Sequence, residues 1–484
     1  MRTMTMVATL GMLAFAGLAI AGSKKDDKIP VTTSSEEARS IYLKGRDLVE
    51  KLRVTDGRAQ YQAALAKDPT FALAAVGLAN TSGTAKEFWE GVNLASAQRD
   101  KVSDGERLII DALVAGAKGE TAAQRAALTK LTRSYPNDER AHNALGLFHF
   151  GQQDWKAAIS EMEKAAKIDA QYSSPYNYLG YAYRFLDDYA GAEKAFKKYI
   201  ELIPGDPNGY DSYAELLYKM GKHDESIAQY DKALSVDANI LNAYIGIGNN
   251  QMVQGKLDAA RASFAKIGTL ARTTGEKRTS NFWMSQSYVF EGQTDKALAE
   301  MQKNLDLGAA AGDQATVAGD HAAMGEILLG ADRADEALVH FKAQAESIDK
   351  ADVPAEVKET THRNQHFDAG RVATVKGDLA TAKAELAAYA KLVAVKKNTF
   401  ELFAQHELAG QIAIAEKKYP QAIAELGKAN PRDPRAIYLL GVAYQGKGDA
   451  AKAKATLTKA AEFNEFANNF ALIRKRAKDA LAKS

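Results

Sequence analysis

The sequence predicts an all-α chain, an α-solenoid in which antiparallel helix pairs stack in chain order. Three observations carry that reading. Residue classes recur every 34 positions through the middle of the chain, and each repeat holds two apolar-periodic stretches of helical length. The composition is alanine-rich, with only 10 prolines in 484 residues. Alanine costs least in a helix interior and proline most.

The period shows in several register classes. Leu145 and Gly146 recur as Leu179 and Gly180, Tyr213 and Ala214, and Ile247 and Gly248, each step being 34 residues. Ala158, Ala192, Ser226 and Ala260 keep that spacing, as do Met162, Phe196, Tyr230 and Phe264. A small residue of the Gly146 class lets two helix backbones approach, and a large one of the Phe196 class fills the seam further along. Gly151, Gly221, Gly255 and Gly292 each stand three residues before an aspartate: Asp154, Asp224, Asp258 and Asp295. That spacing predicts a left-handed glycine ending the first helix and an aspartate cap on the second. Pro69, Pro136, Pro204 and Pro434 predict the stops of second helices, because proline blocks continuation.

Repeats are expected to begin near Ala38, Gly105, Glu139, Ser173, Pro207, Leu241 and Pro434. Those near Arg278, Ala318, Arg363 and Phe403 carry insertions that stretch the period to roughly 37–45 residues. Residues 72–104, with Trp89 among them, read as a helical pair of irregular register. The solenoid is thus expected over 38–467, as about twelve pairs. A basic capping helix is expected over 468–484, where Arg474, Lys475, Arg476, Lys478 and Lys483 face only Asp479. Solvated cations there would complement the negative end of a helix dipole.

The first residues read as an address. Residues 1–21 hold one basic residue (Arg2), an apolar run and an Ala19-Ile20-Ala21 cleavage site, the pattern of a secretory signal peptide. As a helix the apolar run would span only about 21 Å, short of a hydrocarbon core of about 30 Å. Residues 22–37 are charged and then Ser/Thr-rich, and read as a flexible leader. Export to a bacterial periplasm or the exterior is the expectation, without a lipid anchor, since the chain has no cysteine.

The repeats resemble the tetratricopeptide repeat family. Its pattern is well matched by Tyr176, Leu179, Gly180, Tyr183, Ala192, Phe196 and Pro204, while Tyr199 departs where a second alanine is usual. The resemblance implies a right-handed superhelix that binds protein or peptide partners on a concave groove lined by the first helix of each pair. The family's groove offsets fall on Arg140, Asn143 and Leu147; on Ser174, Asn177, Tyr181 and Arg184; on Asn208, Asp211, Glu215 and Tyr218; and on Asn242, Ile245 and Asn249. Members that grip a C-terminal carboxylate need positive charge where Asp211 and Glu215 stand, so a ligand of basic character is expected. The implied partners belong to envelope or secretion machinery.

Chemistry is scarce. Lys and Arg number 63 against 61 Asp and Glu, a net +2 that predicts no strong pull toward nucleic acid. Zero cysteine excludes disulfides, zinc–thiolate sites and thiol nucleophiles. His362 and His366 share a helix face, yet nothing completes a metal site. His406-Glu407 begins a zincin motif that fails at Gly410, and His142 and His149 occupy positions usually held by packing aromatics. Gly246-Ile-Gly248 lies inside a predicted helix instead of after a strand, and no phosphate loop or nucleophile elbow occurs. The expectation is a non-catalytic scaffold or adaptor with no cofactor and no metal. The alternative is a polysaccharide or small-ligand binder using the aromatic-lined stretch 176–189.

Overall fold

The computed structural model describes residues 28–51, 53–82, 85–353, 355–396, 398–464 and 470–483. The predicted signal segment and the first part of the leader lie outside them. Among the described residues every regular element is helical, and none is long and apolar enough to cross a membrane.

The chain forms two compact units. The first runs to Leu216 and includes Ala228–Ala238. It holds α1 (Glu36–Glu50), α2 (Val54–Lys67), α3 (Ala72–Asn80), α4 (Ala85–Ala97), α5 (Asp104–Ala117), α6 (Thr121–Ser134), α7 (Glu139–Gly151), α8 (Trp155–Ile168), α9 (Ser174–Phe185) and α10 (Tyr189–Leu202). α11 (Pro207–Lys219) and α12 (His223–Val236) contribute residues to both units. The second unit comprises Leu217–Ile227 and everything from Asn239. Its helices begin with α13 (Leu241–Val253), α14 (Leu257–Leu270), α15 (Thr274–Glu291), α16 (Thr294–Ala310), α17 (Gln314–Gly330) and α18 (Ala334–Lys350). They continue as α19 (Ala355–Lys376), α20 (Leu379–Lys396), α21 (Thr399–Ala415), α22 (Tyr419–Leu426), α23 (Pro434–Lys447), α24 (Ala450–Ala461) and α25 (Phe470–Leu481). Odd-numbered helices up to α23 are the first members of pairs, and within each unit a pair packs on the next in chain order.

The seam inside each pair follows the predicted register. A side chain at Gly180 would place its Cβ 2.4 Å from the Phe196 ring, and one at Gly248 would come within 2.3 Å of Phe264. Only glycine admits those rings, and both phenylalanines are fully buried. The same spacing of 16 residues joins Gly325 to Phe341, Gly410 to Leu426 and Gly441 to Leu457. The register thus persists through the stretched repeats, whose extra residues lengthen helices instead of forming inserted loops. Helices α15 to α21 have 17 to 22 residues, against 12 to 14 in α7 to α10.

Turn chemistry departs in detail. Gly221, Gly255 and Gly292 adopt the predicted left-handed conformation, but after α7 that role falls to Gln153. Asp154 caps α8 through the Ala157 N–H, whereas Asp258 and Asp295 sit inside the first turns of α14 and α16. There they complement the helix dipole without capping. Pro434 opens α23 at its first turn instead of closing a second helix.

Residues 28–35 correct the flexible-leader reading. Ile29 and Val31 are buried, and the Ile29 N–H donates to Asp138 Oδ2 at 3.0 Å. The Thr32 N–H and hydroxyl donate to the Glu106 carboxylate at 2.7 and 2.6 Å, and Thr33 and Ser34 bind Asp68. Lys28 pairs with Glu139, and Ser35 caps α1. The segment is an extended strap across the starts of α3, α5 and α7.

Candidate partner-binding site

Ten of the fourteen predicted groove residues belong to the first unit. Its inner row consists of Asn143 on α7, Asn177 on α9 and Asp211 on α11, each 34 residues from the last. They are far more buried than an open groove would leave them, at 0%, 7% and 5% exposure. Neighbouring first helices approach each other, as α7 and α9 do, and their side chains cover the row. The Asn143 amide N–H donates to the Tyr172 hydroxyl at 3.1 Å. The Oδ1 atoms of Asn143, Asn177 and Asp211 receive no hydrogen bond from the described residues. A buried acceptor left so costs roughly 1–3 kcal/mol, and here the cost recurs at three equivalent positions.

Charge in this row differs from the expectation. Burial, with the Glu215 carboxylate nearby, pushes the Asp211 carboxyl up to about 8, so near pH 7 it is largely protonated. Glu215 is neutralised by Arg184 at 2.9 Å and accepts from the Tyr181 hydroxyl at 3.4 Å. The same oxygen is hydrogen-bonded to the Ser212 hydroxyl, with the two oxygens 3.1 Å apart. Two net negative charges in the groove centre are therefore replaced by one neutral acid and one internal ion pair. Arg140 is likewise engaged, with Glu50 at 3.0 Å and with Glu139, and its guanidinium lies over the Tyr172 ring.

Tyr218, Asn242 and Asn249 fall in the second unit. Tyr218 is 1% exposed, so it offers no apolar area to a partner, and Asn242 is exposed. Asn249 is fully buried and donates to the Ile245 carbonyl of its own helix at 2.8 Å. Sequence reading missed Tyr172 and Ser212, which shape the inner row of the first unit. Tyr172 lies between α8 and α9, outside the register it was read from.

The aromatic stretch 176–189 is occupied with itself. Phe185 stacks on Trp155 with ring centres 4.3 Å apart, Tyr178 meets Phe150 at 5.4 Å, and Tyr181 meets Phe196 edge-on at 5.2 Å. The histidines pair across helix hairpins at a spacing of 19: His142 with Glu161, His366 with Glu385, and His406 with Glu425. His362 and His366 stand on α19, the first helix of a pair. No group of three or more metal-ligating side chains gathers among the described residues.

Helix pairs sealed by a glycine–aromatic seam, with polar side chains aligned along the first helices, define a helical-repeat protein with an interaction surface. Models of the tetratricopeptide repeat match residues 112–173, 174–206, 214–269 and 434–466, so the chain carries tetratricopeptide repeats over those stretches. Superkiller complex protein 3 of Mus musculus is 27% identical over 112 residues, which span 23% of this chain and only 7% of that protein. Among solved structures, a tetratricopeptide repeat protein from Parabacteroides merdae ATCC 43184 is similar at 19% identity and a TM-score of 0.35. That likeness covers 52% of this chain and all of the other. MamA is similar at 23% identity and a TM-score of 0.32, covering 34% of this chain and 91% of MamA.

Proposed function

We propose that the protein is a non-catalytic scaffold of the bacterial envelope or exterior, which holds an extended peptide segment of a protein partner against the first unit. The observation that supports this reading is the row Asn143, Asn177 and Asp211, whose Oδ1 atoms lack a donor among the described residues at one repeating register. A peptide backbone supplies N–H groups at regular intervals, and it reaches these acceptors when the side chains that cover the row move aside. Asp211 makes the third position the most selective, because a lysine or arginine side chain placed there would pair with the carboxylate once it gives up its proton. Export rests on the sequence of residues 1–21, and partners in envelope or secretion machinery follow by analogy with exported repeat proteins.

The test is affinity capture from envelope extracts with the full chain, run beside a glycan-binding screen. An enriched protein whose capture falls on substitution of Asn177 by alanine supports the reading. A saturable glycan signal with no enriched protein overturns it in favour of sugar binding.

A further inference from the structure

Four arginines are buried among the described residues: Arg46, Arg363, Arg371 and Arg474. Three of them face carboxylates. Arg46 lies 3.9 Å from Glu50, Arg363 is 2.8 Å from Glu401, and Arg371 forks onto Glu326. Arg474, on α25, is 7% exposed and makes no ion pair among the described residues. Its Nη1 donates to Asn464 Oδ1 at 2.9 Å and to the Phe463 carbonyl at 3.4 Å, both neutral oxygens, and its Nε has no acceptor among the described residues. A guanidinium does not escape such a site by losing its proton. An uncompensated buried charge is among the costliest features a fold can carry.

The surroundings add positive charge. Lys478 stands one helical turn beyond Arg474, and the fields of the two oppose each other. His223, the first residue of α12, also lies within the field of Arg474, and its ring is bonded to Asn250 at 2.9 Å. The Lys219 ammonium sits over the Phe463 ring at 5.6 Å. Asn464 lies against the turn at Gly221 that leads into α12, whose N-terminal end is the positive end of its dipole. Among the described residues, the acidic side chain whose field reaches Arg474 is Glu462, and it is solvent-exposed.

We propose that Arg474 anchors an oxyanion site, formed by α25 with the turn before α12, that takes a carboxylate or phosphate group. The anchor comes from the helix after the last repeat, so this site is separate from the inner row of the first unit. An oxyanion can accept from Nε and Nη2 of one guanidinium at once, the paired geometry that arginine offers and lysine does not. The capping helix thus does more than solvate the chain's end, and Arg474 corrects the expectation that its cations are all in water.

The test uses the full chain in sodium chloride, with inorganic phosphate or acetate replacing part of the chloride at constant ionic strength. Melting temperature and isothermal titration are read for the natural chain, Arg474→Gln and Lys478→Gln. Phosphate or acetate should raise the melting temperature above the chloride value, and whichever does so more strongly identifies the ligand class. Arg474→Gln should weaken the apparent affinity about tenfold or more. Lys478→Gln, an exposed change that leaves the fold intact, should weaken it by a smaller factor. Equal behaviour of both oxyanions and chloride, or an unchanged response in Lys478→Gln and Arg474→Gln alike, overturns the proposal.

Discussion

The two units use the same helix pair and close on themselves by different chemistry. In the first, the fastening is a strap: residues 28–34 cross the starts of three first helices and are held by carboxylates of Asp68, Glu106 and Asp138. The bonds run to backbone N–H groups and hydroxyls, so each carboxylate serves as an acceptor for an extended chain. In the second, arginines fasten helix to helix. Arg371 and Arg435 both grip Glu326, Arg435 also binds Glu407 at 2.6 Å, and Arg476 ties α25 to the Gly330 carbonyl at 2.8 Å. Phe470, Ala471 and Ile473 bury the rest of α25 in the core of that unit. A repeat sets the pair and its spacing, while the segments at the ends of the array decide how each unit is held together.

The largest expected effect lies in the second unit. Arg371→Met removes a guanidinium that is 4% exposed and leaves Glu326 and the buried Asp368 without it, at an expected cost of about 3–5 kcal/mol. Hydrogen exchange should accelerate in α17, α19 and α23 while α1 to α7 keep their protection. In the first unit, Glu106→Ala takes away the acceptor of Thr32 and of the Ser103 cap, at about 2–3 kcal/mol. Thr32→Val isolates the share of the strap, about 1 kcal/mol. Exchange at residues 29–34 should rise in both variants, and protection there that survives Glu106→Ala would break the contrast between the units.

A pH dependence sharpens the contrast further. The folded-state pKa of Asp211 is raised above its unfolded value of about 3.9. Its contribution to stability is therefore complete below pH 4 and is lost as pH rises toward about 8, where a buried carboxylate must ionise. Asp211→Asn restores the residue found at the two preceding register positions and removes that alkaline loss. The melting temperature of the variant relative to the natural chain should climb between pH 5 and pH 8. A difference that stays flat across that range would show that Asp211 ionises freely.

Much of the fold was legible because its determinants are local. The Gly180–Phe196 seam needs only residues 16 apart, and the turns at Gly221, Gly255 and Gly292 need three or four. The strap was not legible, since a Ser/Thr-rich run looks unstructured until its partners, 34 to 111 residues away, are in place. The site divides in the same way. Register located Asn143, Asn177 and Asp211 on one row, but their burial comes from the neighbouring pair, and that burial raises the pKa that turns Asp211 from a charge into an acid. Arg474 looked like one cation among several because its burial depends on the chain end returning to α15 and the turn before α12.

The most direct test of the inner row as a peptide site is a selection of displayed random peptides on the full chain, followed by titration of one enriched peptide. Affinity would be measured for the natural chain and for Asn143→Ala, Asn177→Ala and Asp211→Ala, with the melting temperature as a check on folding. Each variant should lose about tenfold in affinity or more, the cost of one buried hydrogen bond to an acceptor that has no other donor, and basic residues should recur in the selected peptides. Peptides that bind all three variants as tightly as the natural chain would contradict the assignment of this row.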